Sequence, residues 1–174
     1  MKTLLTKFLL FAALAIPASA KTEFGKLGAA EFRIDVPANW NHGLVLYCHG
    51  YDPHPVGVGY DPQKPLPPEL AVFVKLGYAL AQTGYSTGGW AVEQAMPDIE
   101  NLRKHFIDTY GQTKETFITG HSMGGLLTVA MIETNPQAYD AGLDMCGAVQ
   151  SAPDRKSTRL NSSHSGECRM PSSA

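Results

Sequence analysis

Charge is scarce and evenly signed in this 174-residue chain: 17% of residues are Asp, Glu, Lys or Arg, and the formal net charge is −2. A chain with no basic excess lacks the face a phosphate backbone requires, so no nucleic-acid partner is expected. An apolar share of 44% equally excludes an acid-rich disordered chain. No apolar run reaches the roughly 20 residues of a membrane-spanning helix. Cysteine is rare, with only Cys48, Cys146 and Cys168. No spacing of Cys, His and carboxylates matches a metal site, so neither a metal nor a cofactor is expected. No internal repeat is visible, and a chain of this length is expected to hold one domain.

The N-terminus, "MKTLLTKFLLFAALAIPASA", opens with Lys2 and Lys7, continues in the apolar run 8–16, breaks at Pro17 and ends in Ala18-Ser19-Ala20. Positive start, short apolar run and small residues predict a secretory signal peptide over residues 1–20, and so a secreted or periplasmic protein. A membrane anchor is the alternative; the run is too short to span a bilayer comfortably. Export permits disulfides. Cys48 and Cys146, however, each lie in an apolar run that reads as a buried strand, which predicts buried thiols.

Residues 21–153 alternate between two patterns. "EFRIDVP" (31–37) alternates polar and apolar residues like an edge or early strand. Continuous apolar runs at 43–50, 78–85, 115–122 and 142–149 predict strands buried on both faces. Between them lie a short helix at 69–77 ended by glycine, an amphipathic helix within 91–111, and an apolar helix from 123 that stops before Pro136. Pro97 is expected in the first turn of the second helix or at a kink within it. The Pro- and Gly-rich stretch after 50 is long for a plain connection and is expected to shape a site. Strands alternating with helices predict an α/β domain built on a parallel sheet.

The composition changes after Pro153. "DRKSTRLNSSHSGECRMPSSA" (154–174) has no apolar periodicity. It resembles the translation of a sequencing-library adapter, with a natural disordered C-terminus as the alternative.

The chemistry concentrates in "GHSMGG", Gly120 to Gly125. A strand runs into it and an apolar helix leaves it. Such a strand–turn–helix holds Ser122 in a strained backbone so that its hydroxyl stands clear of the sheet. Gly120 and Gly124 must lack side chains where strand and helix approach closely, and Gly125 adds further close packing. The N–H of Met123, at the helix start, points to where an oxyanion would form. "HGY" (49–51) ends an earlier strand, and a glycine at 50 lets the chain bend so that the backbone N–H of Tyr51 becomes a second oxyanion donor. His49 reads as a structural histidine bonded to loop backbone. An inert glycine-rich turn is the alternative reading of the whole motif. Tyr85, Ser86 and Trp90 follow another strand on the same sheet edge and are candidates to line a substrate pocket; packing under the long loop is their alternative.

"LVLYCHGYD", "GYALAQTGYSTGGWAV", "DIENLRKHFIDTYG", "TFITGHSMGGLLTVAMIETNPQAYD" and "LDMCGAV" together resemble the α/β-hydrolase superfamily, in a secreted bacterial serine-hydrolase branch of the esterase and prolyl-oligopeptidase kind. The resemblance covers most of residues 31–149. It implies hydrolysis of a carboxylic ester or related acyl bond, small or polymer-linked, through an acyl-enzyme on Ser122. A secreted serine peptidase, acyl transfer and a non-catalytic binding module remain as alternatives.

In that superfamily an acid and then a histidine follow the nucleophile. His42 and His54 lie upstream in loops, His105 beside the polar face of a helix as a solvated residue, and His121 inside the turn itself. Asp140 and Asp144 read as a helix-exit and a strand-end residue. Only Asp154 and His164 follow at a distance, in or beside the unusual tail. The expectation is therefore an incomplete hydrolase domain whose last strands, triad acid and triad histidine are missing, and a chain inactive as written.

Overall fold

The computed structural model describes residues 19–58 and 64–149. Most of the predicted leader lies outside them, as does the predicted tail with Asp154, His164 and Cys168.

Six strands form one sheet in the order β1-β2-β4-β3-β5-β6. They are β1 (Lys21–Leu27), β2 (Ala30–Val36), β3 (Gly43–Cys48), β4 (Ala79–Thr83), β5 (Glu115–His121) and β6 (Ala141–Met145). β1 and β2 form an antiparallel hairpin and β2 pairs antiparallel with β4; β4, β3, β5 and β6 run parallel. The three helices are α1 (Pro68–Lys75), α2 (Val92–Tyr110) and α3 (Met123–Thr134). The expected mostly parallel α/β architecture is present.

The sheet separates two apolar layers. Phe32, Ile34, Leu44, Leu46, Ala81 and Ile118 meet Ile99, Leu102 and Phe106 of α2 and Leu127 and Met131 of α3. On the opposite face Val45 and Leu80 pack with Leu70 of α1. Alternation along each strand supplies both layers, because successive side chains point to opposite faces. Of the two placements expected for Pro97, the first turn is not the one observed: it lies inside α2, in the second turn. It is exposed, so water can satisfy the Glu93 carbonyl that the missing N–H leaves free.

Several details differ from expectation. "KTEFGKL" forms an unanticipated edge strand, and β2 is therefore interior. The polar alternates of β2, Arg33 and Asp35, are buried as a pair at 2.8 Å, with Thr22 donating to Asp35 and Arg33 Nη1 donating to the Lys64 carbonyl. Strand β6 ends at Met145 and is exposed along most of its length, so the expected buried strand over 142–149 is an outer strand of the described sheet. Cys146 falls just past it, exposed and at φ 59°. Cys48 is fully buried as expected, and burial pushes its thiol up to about 12.

Candidate active site

The carboxyl ends of β3, β4 and β5 converge on one edge of the sheet, where Ser122 sits between β5 and α3. Its backbone is at φ 55° and ψ −121°. A residue with a Cβ holds such a conformation only when its surroundings over-determine it, at a cost of about 1–3 kcal/mol. Here both sides are pinned. The Ser122 N–H donates to the Met145 carbonyl at 3.0 Å, extending the β5–β6 pairing by one bond. The Ser122 carbonyl accepts from Gly125 N–H at 3.0 Å and Leu126 N–H at 3.2 Å, which opens α3. The hydroxyl is exposed and makes no hydrogen bond among the described residues.

The glycines are explained by a third element as well as by strand and helix. A Cβ on Gly120 would lie 2.5 Å from the Cys48 carbonyl oxygen and from that of Gly124. A Cβ on Gly124 would overlap the Cys48 carbonyl and approach that of His49 at 2.8 Å. The last residues of β3 are thus pressed against the first turn of α3, with no side chain between. Gly125 is packed as expected, against the Asp144 carboxylate and Gly147. The same approach sets Gly50 beside His121, whose Nε2 would lie 3.0 Å from a Cβ on Gly50, while the Met123 and Gly124 N–H groups that open α3 have no helix carbonyl before them to bond.

His49 is tied to backbone, with Nδ1 2.7 Å from the Gly50 carbonyl oxygen. Burial lowers its pKa, against the Gly50 and Gly84 backbone groups that raise it, so the ring is neutral at pH 7. Tyr85, a pocket candidate, is 1% exposed. Its ring stacks on His49 at 3.9 Å and its hydroxyl donates to the His49 carbonyl at 3.1 Å. Packing, its alternative reading, is what the geometry favours. Trp90, another candidate, is at the surface.

The histidines occupy separate places. His42 lies tilted against the Trp40 ring, centroids 4.6 Å apart, at the start of β3 and away from Ser122. His54 is exposed in the loop after β3. His105 is half-buried against Phe32, with Nε2 2.9 Å from Glu23 of β1; it is not the solvated residue the helix pattern suggested. His121 points back along β3, where Nδ1 and Tyr47 Oη are hydrogen-bonded at 2.7 Å. Asp144 accepts from Gly147 N–H at 2.7 Å, and Asp140 accepts from Thr116 N–H at 2.7 Å. No imidazole and carboxylate reach Ser122 as a pair among the described residues.

Two supports of this edge had no signal in the sequence. Buried Asp98 of α2 accepts from Ser86 N–H at 2.7 Å and holds the turn after β4. The loop after β3 joins the loop after β4 in an isolated antiparallel bridge, Asp52 to Gly89, with Gly89 N–H donating to the Asp52 carbonyl at 2.6 Å.

No protein-family model and no curated protein matches the sequence. Solved structures do match. An acetyl xylan esterase from Aspergillus awamori is 24% identical, over 71% of this chain and 49% of that one, at a TM-score of 0.50. A carboxyl esterase from Bacillus coagulans is 17% identical, over 82% and 51%, at 0.53. An acylaminoacyl peptidase from Pyrococcus horikoshii is 17% identical, over 74% and 23%, at 0.58. This chain spans about half the length of the two esterases. It has the α/β-hydrolase fold that these proteins share.

Proposed function

We propose that this chain carries the nucleophile-bearing half of a secreted serine hydrolase that cleaves carboxylic esters through an acyl-enzyme. The observation that carries the reading is Ser122: a residue other than glycine held at φ 55° between β5 and α3, with its hydroxyl exposed. A backbone held in strain at an open strand–helix turn is the geometry of an aimed nucleophile.

In this reading Ser122 Oγ attacks the ester carbonyl. The N–H groups of Met123 and Tyr51 receive the oxyanion, and the alcohol leaves to give acyl-Ser122, which water then hydrolyses. The Oγ proton must pass to a histidine oriented by a carboxylate, and from it to the departing alkoxide. The reading assigns both groups to sequence downstream of the described residues. Likeness to an acetyl xylan esterase and a carboxyl esterase supports an ester, small or polymer-linked. Likeness to an acylaminoacyl peptidase supports a second reading, a secreted serine peptidase with the same nucleophile.

The test begins at the source locus, read across the codons for residues 152–155. The complete reading frame is then expressed and treated with a fluorophosphonate probe. Labelling that is lost in Ser122→Ala supports the hydrolase. A folded protein that takes no label is instead a binding module on the same fold.

A further inference from the structure

Tyr51 and Trp90 are 57% and 55% exposed, although each follows directly on tightly built structure. The isolated Asp52–Gly89 bridge is antiparallel, so Tyr51, just before Asp52, and Trp90, just after Gly89, lie at the same end of it on adjoining loops. The backbone that carries both residues is fixed. Besides the bridge, the His54 N–H donates to Asp52 Oδ1 at 2.9 Å, and a Cβ on Gly88 would lie 2.5 Å from the His54 backbone. The two loop backbones are thus pinned to each other, and each carries a large exposed ring beside the Gly50-Tyr51 turn.

We propose that Tyr51 and Trp90 form an aromatic ledge that binds a neutral pyranose ring on the alcohol side of the substrate. The inference rests on the ester-hydrolase reading, which assigns the Tyr51 N–H to the oxyanion hole, and names the substrate class for it. The ledge's chemistry selects the ring. Segments 51–55 and 86–91 contain no Lys or Arg, and their one carboxylate, Asp52, is already engaged by the His54 N–H, so a phosphate or carboxylate finds no counter-charge. An open ledge covers one face of its ligand, whereas a small apolar molecule binds where it is enclosed on most sides. A pyranose has one C–H-lined face to lay on an aromatic ring, whose negative π-face meets the C–H dipoles, and a rim of hydroxyls that stays in water.

The chain has two tryptophans, and Trp40 is half-buried with Nε1 donating to the Gly43 carbonyl at 2.8 Å, away from the ledge. A ligand-dependent change in acrylamide quenching therefore reports Trp90. Xylohexaose, cellohexaose and mannohexaose are titrated against the full chain to about 10 mM, the range where weak single-ring binding is measured. At least one hexaose should protect Trp90. Ligand-observed NMR should then show binding weakened roughly tenfold in Trp90→Ala and in Tyr51→Leu, as for loss of one stacked ring, and unchanged in Ser122→Ala. Circular dichroism confirms that each variant is folded. Protection by none of the three hexaoses, or equal protection by phenol, overturns the proposal. Because binding is read without turnover, a ledge that fails leaves Ser122 untouched, and an unreactive Ser122 leaves the ledge standing.

Discussion

The Cys48 carbonyl oxygen occupies the place where a side chain on Gly124 would begin. Strand β3 and helix α3 meet there backbone to backbone. Gly124→Ala must force them apart, and the colliding atom is backbone that cannot rotate away. We expect a loss of at least 1–3 kcal/mol, the range for overpacking, read as a lower urea midpoint at unchanged slope.

Ser122 gives the opposite sign. Its φ of 55° costs a residue with a Cβ but not glycine. Ser122→Gly should raise stability by about 1 kcal/mol, and Ser122→Ala, which keeps the Cβ, should not. A urea midpoint for Ser122→Gly below that of Ser122→Ala would contradict strain at this turn.

The buried Arg33–Asp35 pair predicts an asymmetry. Asp35→Ala leaves a guanidinium buried without its counter-charge and should cost about 3–5 kcal/mol. Replacing both residues by Met and Leu should cost far less, because no orphan charge remains. A double-mutant cycle by chemical denaturation measures the difference.

Glu23 supplies a pH dependence. Its partial burial raises its pKa, but hydrogen bonds from Tyr110 and His105 outweigh that and hold it below the ordinary 4.5. A depressed carboxylate contributes stability above its unfolded pKa and loses it as pH falls through the folded value. Stability of the parent chain should therefore drop more steeply below about pH 4.5 than that of Glu23→Gln, the two curves converging in acid. Parallel curves would show that the cluster is not coupled to folding.

Cys48 should resist alkylation. Its thiol, buried and pushed up to about 12, carries almost no thiolate at pH 8. Mass mapping after iodoacetamide treatment should find Cys48 unmodified in the folded chain and modified in urea.

Much of the sheet was legible because parallel strands buried on both faces read as unbroken apolar runs, as in "GLVLYC". The same rule failed at both edges of the described sheet. β1, "KTEFGKL", has one covered face and a polar sequence, so only its partner β2 reveals it. The run at 142–149 is apolar enough for a core strand, yet composition cannot say whether a neighbour covers it. The turn at Ser122 was legible because its glycines answer local steric demands. Tyr85 was ambiguous because the strand that presents it also turns it inward, onto His49. The bridge from Asp52 to Gly89 was invisible, since it joins two loops through backbone groups that every residue has.

Strand β6 carries Leu143 and Met145 at 58% and 37% exposure, and among the described residues it pairs on one side only, with β5. Among these residues no strand lies along its outer row of amides and carbonyls, and such a row is a template for whichever strand arrives first. For these residues alone, that arrival is a bimolecular event. The yield of monomer, read by size-exclusion chromatography, should then fall as expression level rises and recover on dilution.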